Sequence, residues 1–342
     1  MAPLTARFEI DLKGFPGYLI GESDTALTSV TMHVHDFEIR IDIDGLNAFS
    51  MGPADSQIKR FLFTRLVAVI AREFPVDELE PFRQDFFPYR KMLEQYQLAL
   101  IEAVNRLISY FKFRLRNPQV RFWEPIDLLR DEKGCYGPSW SHNGKDVTPD
   151  FGDVGKKAGV VTIPGGRFLG SYGFGIEGLR TALQTDLEAY VQGDRKEGLF
   201  DELLSDAQSA VIDGNVRRSV LELAIAIEVL VKNSFFAADT VAGAAFEYVE
   251  SAGGRRIRVL DLLGGASKNA FGQSFKEAAP QDFTNIDFVF RTRNSIAHRG
   301  KCQFRDDDGK IVEVSRIDLQ AWWNSALSMN RWLASQIAAS AH

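Results

Sequence analysis

The feature that most constrains this chain is a change of hydrophobic period along it. In TMHVHDFEIRIDID, residues 31–44, Phe37, Ile39, Ile41 and Ile43 fall on one face, and Asp36, Glu38, Arg40, Asp42 and Asp44 on the other. A period of two with one charged face predicts a half-buried antiparallel strand. Met32 and Val34 run in the opposite phase, so a turn or bulge is expected near His35–Asp36. Gly14, Pro16, Gly17 and Gly21 punctuate an earlier strand pair. From about residue 177 onward the apolar residues recur at helical spacing instead. The expected fold class is therefore α+β, with a mixed strand/helix N-terminal domain over 1–175 and an all-helical C-terminal domain over 176–342. A chain of 342 residues is long enough for two cores.

Within the first domain, QIKRFLFTRLVAVIAREF reads as a helix ended by Pro75. Residues 87–115 read as a second, with Leu93, Tyr96, Leu100, Val104, Leu107 and Phe111 at helical spacing and Asn117-Pro118 as its stop. Residues 122–175 are rich in Gly, Pro, Asp and Ser with short apolar islands such as VVTI at 160–163, a loop region with room for a small hairpin. The helical half divides into 176–191, 199–212, 215–236, 241–251, 257–277, 283–299 and 317–338. Asp213-Gly214-Asn215 makes a tight helical hairpin, and Gly253-Gly254 and Pro280 mark further breaks. Asp307-Asp308-Gly309 predicts a short β excursion between the last two helices.

The net charge of -6 argues against a protein coated in positive charge, which leaves room only for a local basic patch. Cys135 and Cys302 are far apart and form no CxxC or Cys/His cluster, so neither zinc nor a disulfide scaffold is expected, and a reducing cytoplasm fits. No secretory signal or membrane span is read. His33-Val34-His35 offers two imidazoles on one strand but no third ligand. Gly173-Phe174-Gly175-Ile176-Glu177-Gly178 matches G-x-G-x-x-G without the strand and acidic residue a dinucleotide site needs. Gly152–Lys157 lacks P-loop spacing, and Ser139, Ser141 and His142 lie in an expected loop with no nucleophile elbow. No cofactor is implied.

The sharpest motif is RNSIAHRG, residues 293–300, at the C-terminal end of a helix whose buried stripe is Phe283, Ile286, Val289, Phe290 and Ile296. Arg293 and His298 are five residues apart, about 500° of rotation or roughly 140° net, so they flank a cleft rather than share a stripe. Imidazole exchanges protons near neutrality, guanidinium forks onto phosphate, and Asn294 adds a neutral donor. Together they suit metal-free phosphodiester cleavage. Cations at a helix C-terminus also favour the helix dipole, which is the plainer reading of the same residues. Arg291, Arg299, Lys301 and Arg305 thicken the charge nearby, with Asp287–Arg291 as a possible i,i+4 pair, and Arg255, Arg256 and Arg258 form a second cluster. Trp322, Trp323 and Trp332 read as core or dimer packing, though such rings also stack on bases.

RNSIAHRG resembles the R-N-x-x-x-H signature of HEPN domains (higher eukaryotes and prokaryotes nucleotide-binding). The hairpin SDAQSAVIDGNVRRSVLELAIAIEVLVK, with Ala226-Ile227-Glu228 as its A-x-E element, is similar to that family's first helical pair. The likeness, to the Apea-like branch linked to bacterial antiviral defence, covers about 140 residues, roughly 199–340. It implies a helical bundle that dimerises through its motif helices into one composite cleft. It also implies metal-independent RNA cleavage leaving a 2′,3′-cyclic phosphate, with Arg293 and His298 catalytic and Asn294 positioning the phosphate. Glu228 would support Arg293 from the neighbouring helix, with Glu222 as the alternative. Arg291, Arg299, Lys301, Arg255 and Arg256 would bind RNA. The implied role is an anti-phage, abortive-infection effector or toxin whose N-terminal domain senses a phage or host trigger. A module that binds RNA, nucleotide or protein without cutting is the alternative.

Overall fold

The computed structural model describes residues 2–11, 17–22, 29–44, 47–49, 58–63, 65–75, 79–80, 86–114, 122–123, 138–151, 160–162, 184–193, 197–236 and 258–340. They fall into two compact units, one up to Gly193 and one from Glu197 onward. The first is strand-rich and the second mainly helical, so the chain is α+β.

In the first unit, β1 (Ala2–Asp11), β3 (Ser29–Val34), β4 (Phe37–Asp44), β7 (Arg65–Phe74), β8 (Ser139–His142) and β9 (Lys145–Asp146) form an antiparallel path in the order β3-β4-β7-β1-β8-β9. β10 (Val160–Thr162) adds to β1 in parallel. The phase slip is the two-residue turn His35–Asp36, with His35 at φ 54 and Val34 facing Phe37. Register then lines up one apolar face: Met32 opposes Ile39, Ile39 opposes Ile70, and Ala6 opposes Ile70 from the other side. Helix α1 (Phe86–Ser109) packs on this face with Tyr89, Met92, Tyr96 and Leu100, and runs on into a π turn, Tyr110–Arg114.

Two expectations fail here. QIKRFLFTRLVAVIAREF is not a helix; it forms β6 (Ile58–Phe63) and β7. β7 is central, bonded by β1 on one edge and β4 on the other, and Leu66, Val67 and Ala68 are buried in succession. A strand buried on both faces loses its alternation and cannot be told from a helix by period; its β-branched Val67, Val69 and Ile70 are the better guide. Likewise β1 and β2 (Gly17–Glu22) do not pair with each other: β2 joins β6 and β5 (Asn47–Phe49) in a separate three-stranded sheet.

The expected hairpin after residue 122 is β8–β9, and Ser139, Ser141 and His142 lie on β8 rather than in a loop. Trp140 is 1% exposed and donates its indole N–H to Tyr89 Oη at 3.2 Å. Helix α2 (Gln184–Gln192) buries Leu187, Tyr190 and Val191 in this first core, not in the helical domain expected from residue 176.

The second unit opens with α3 (Leu199–Ile212) and α4 (Val216–Phe236), close to the bounds read from the sequence. One turn serves both. Gly214, at φ 79, donates to Val211 O and Asn215 to Ala210 O, a Schellman closure of α3. Asn215 Oδ1 then accepts the Arg218 N–H at 3.1 Å and caps α4. Broken helical turns follow: α5 (Val259–Asp261), a π turn, α6 (Ser267–Phe271) and α7 (Phe275–Ala278). The long helices α8 (Pro280–Arg299) and α9 (Arg316–Ser340) bracket the predicted hairpin, β11 (Gln303–Arg305) and β12 (Ile311–Glu313). α9 turns Leu319, Trp322, Trp323, Ala326, Met329 and Leu333 into the core, so Trp322 and Trp323 are packing residues, and Trp332 packs edge-on against Phe271 and tilted against Phe275.

The expected helix 241–251, Gly14, Pro16, Asn117-Pro118, Cys135, Gly152–Lys157, Gly173–Gly178 and Gly253-Gly254 lie outside the described residues. Among the described residues no helix is long and apolar enough to cross a membrane.

Tyr96 joins the sheet to α1. Its buried hydroxyl donates to Leu4 O at 2.9 Å, and burial pushes its ionisation well above the ordinary tyrosine range, so it remains a donor. Tyr96→Phe should cost about 1 kcal/mol, read as a lower urea midpoint by the fluorescence of the adjoining Trp140, which sits 4.9 Å from the Tyr96 ring.

Candidate functional site

α8 carries the RNSIAHRG motif. Pro280 occupies its first turn, where a missing N–H is harmless. Ile286, Val289 and Thr292 are fully buried, with Phe283, Phe288, Phe290 and Ile296 packed around them. Asp282 and Asn285 meet Ser325 of α9: Asn285 Nδ2 donates to Ser325 Oγ at 3.0 Å, and that hydroxyl is 2.8 Å from Asp282 Oδ1. Gly300, at φ 65, ends the helix and donates to Ile296 O at 2.9 Å.

This packing sets the aim of the motif. Arg293 lies two turns beyond Ile286, near the same stripe, and is half-buried. Asn294 and His298 lie on the solvent side and are exposed, as is Arg299. Among the described residues Arg293, Asn294 and His298 have no side-chain hydrogen bond and no ion pair. A half-buried guanidinium with no carboxylate on it is available to an anion.

The two acidic candidates are committed within α4. Glu228 Oε1 pairs with Lys232 Nζ at 2.9 Å, and Glu222 Oε1 with Arg218 Nε at 2.6 Å. Neither pairs with Arg293. They differ in one respect: Glu222 Oε2 is buried with no hydrogen-bond partner, as are Ser219 Oγ one turn earlier and Ser295 Oγ inside the motif.

Arg291 was expected on RNA, and the structure gives it another task. Its guanidinium pairs with Asp287, donates to Arg305 O at 2.9 Å, reaches Asp307 at 3.6 Å and lies over the Phe288 ring. It ties the β11–β12 turn to α8, and a cation so engaged has little left for phosphate. Phe304 adds the apolar half of that tie, with ring centroids 4.6 Å from Phe288 and 5.6 Å from Trp322. Arg299 and Lys301 remain exposed; Arg255 and Arg256 lie outside the described residues.

Beside the end of α8 lies a cleft of about 530 Å³ lined by residues 214–217, 300–303 and 313–314. Its walls are the α3–α4 turn, the segment leaving α8 and the end of β12. Arg217, exposed at the start of α4, was not singled out in the sequence; its place just after the Gly214-Asn215 turn was the available signal. Cys302 also lines the cleft, and burial pushes its thiol above the ordinary range, with Arg217 drawing it down and Glu313 raising it. It is a neutral thiol rather than a reactive thiolate at neutral pH.

In the first unit, His35 Nε2 lies 3.2 Å from Glu102 on α1, and His142 Nε2 lies 3.4 Å from Phe74 O. Among the described residues no group of three or more His, Cys, Asp or Glu could hold a metal ion. Comparison with family models, curated proteins and solved structures finds no match for this chain.

The tie through Arg291 predicts a stability effect. Arg291→Ala should destabilise the helical unit by about 1–2 kcal/mol, most of it from the charge-assisted bond to the Arg305 carbonyl rather than the exposed ion pairs. Hydrogen exchange should rise first in residues 303–313. Unchanged exchange there would remove Arg291 from this role.

Proposed function

We propose that the C-terminal unit is a metal-independent RNA endonuclease of HEPN type, acting as a bacterial anti-phage, abortive-infection effector or toxin in the cytoplasm. The observation that carries the reading is the end of α8: an unpaired, half-buried Arg293 with Asn294 and His298 exposed beside it, all on one helix pinned by its buried stripe. The likeness of RNSIAHRG and the preceding helical hairpin to the HEPN pattern supplies the chemistry.

The 2′-hydroxyl of the ribose attacks the adjoining phosphorus, and the 5′ oxygen leaves. The products are a 2′,3′-cyclic phosphate and a 5′-hydroxyl. His298 takes the proton from the 2′ oxygen as the new P–O bond forms. A second imidazole, protonated, gives its proton to the departing oxygen. Arg293 holds the non-bridging oxygens as their charge grows, and Asn294 fixes the phosphate by a neutral bond. One chain offers one such imidazole, so the reading includes a homodimer in which two α8 ends face a shared cleft. Glu222, with one uncommitted oxygen, is the better of the two acidic candidates for support. The N-terminal unit would then hold the nuclease in check until a phage or host trigger arrives.

The test is cleavage of end-labelled RNA in EDTA. His298→Ala should lower the rate by roughly 10²–10⁴-fold, and Arg293→Ala by about 10²–10³-fold, with cyclic phosphate at the 3′ ends of the wild-type products. Expression of the wild type should arrest bacterial growth and both variants should relieve it. Equal cleavage by all three proteins, or cleavage that needs a divalent metal, would sink the assignment. Sedimentation of the active protein as a monomer would remove the composite cleft.

A further inference from the structure

We infer that the cleft beside the end of α8 holds a backbone phosphate of single-stranded RNA next to the one being cut, clamped between Arg217 and Lys301. This deepens the ribonuclease reading and rests on it for the identity of the strand.

Position comes first. Gly300 lines the cleft and follows His298 by two residues, so the cleft begins where the motif helix ends. The size is right as well: 530 Å³ lies within the roughly 300–1,000 Å³ of small-ligand sites and accommodates about one nucleotide.

Charge decides the ligand class. Arg217 and Lys301 line the cleft, are exposed, and have no ion pair among the described residues. Of the cations nearby in sequence, Arg218 is spent on Glu222 and Arg291 on Asp287, and Arg299, exposed and unpaired, does not line the cleft. Glu313 is the one carboxylate among the lining residues, so two cations face one anion. Asn215 uses its Oδ1 to cap α4, which leaves its amide N–H groups for a ligand. Gln303 is a second neutral amide. Cys302, held protonated by its burial, adds no negative charge. A guanidinium and an ammonium with amide donors around them suit a phosphodiester, and the open, polar wall leaves the base unread.

The experiment uses the full chain carrying His298→Ala, so that RNA survives, and a fluorescein-labelled short single-stranded RNA in EDTA. Anisotropy is recorded across a salt series. Adding Arg217→Ala and Lys301→Ala together should weaken binding about tenfold and flatten the slope of log affinity against log salt by roughly 0.7, the loss of one phosphate contact. Glu313→Gln should tighten binding roughly two- to threefold by removing the opposing charge. Arg258→Ala, a paired cation away from the cleft, should leave affinity unchanged. Circular dichroism establishes that each variant is folded.

Affinity of the double variant within roughly twofold of its parent overturns the inference. So does a parent that binds no RNA, or a free mononucleotide that displaces the RNA at equal concentration. The two assignments fail separately. If the cleft variants lose affinity while His298→Ala still cleaves, the catalytic assignment falls and the cleft stands. If His298→Ala abolishes cleavage while the cleft variants bind as before, the cleft alone falls.

Discussion

Ile286 and Val289 of α8 are shut away from water in the core shared with α4 and α9, and Asp282, Ser325 and Asn285 form a polar link in the same seam. The apolar contacts supply most of the stabilisation, but they tolerate sliding. The Ser325 link is directional, because sliding would break its bonds to Asn285 and Asp282. Rotation and register of α8 are therefore fixed well before its last turn. At 100° per residue, Arg293 must fall near the buried stripe, with Asn294 and His298 turned outward. The site geometry follows from the packing of residues one to three turns earlier.

The same economy shapes what surrounds the helix end. Gly300 reverses the chain at an αL residue, and the departing segment would be free to swing were it not fastened twice, by Phe304 between Phe288 and Trp322 and by Arg291 on Arg305 O. Opposite it, the turn at Gly214-Asn215 satisfies the end of α3 and the start of α4 with a single residue between two caps. Two of the cleft's walls are turns, the one between α3 and α4 and the one leaving α8, and each is held by specific bonds. Loops positioned this way can present side chains as precisely as a helix does.

How much of this was legible depended on how one-sided each element is. The β3–β4 hairpin was readable because Phe37, Ile39, Ile41 and Ile43 alternate with charges, and α3, α4 and α9 because each has a polar back. β7 was misread because its burial on both faces erased the alternation. Helix α2 was assigned to the wrong unit because its stripe of Leu187, Tyr190 and Val191 says only that a core exists, not which one. At the site, Arg293, Asn294 and His298 lie together on α8 as their spacing required. Arg291 looked equally basic, and only the positions of Asp287, Asp307 and the Arg305 carbonyl show it is occupied. Arg217 was passed over because its partners in the cleft are about 85 residues away in sequence.

Pairing, more than composition, is the measure of what this chain can bind. Its 46 acidic residues outnumber 40 basic ones, which taken alone would turn RNA away. A cation closed onto a carboxylate presents little field beyond its own contact, whereas an unpaired one near a low-dielectric wall acts at nearly full strength. Arg218, Arg258 and Arg291 belong to the first kind, and Arg293, Arg299, Arg217 and Lys301 to the second. These four unpaired cations lie at or beside the α8 end and the cleft that adjoins it.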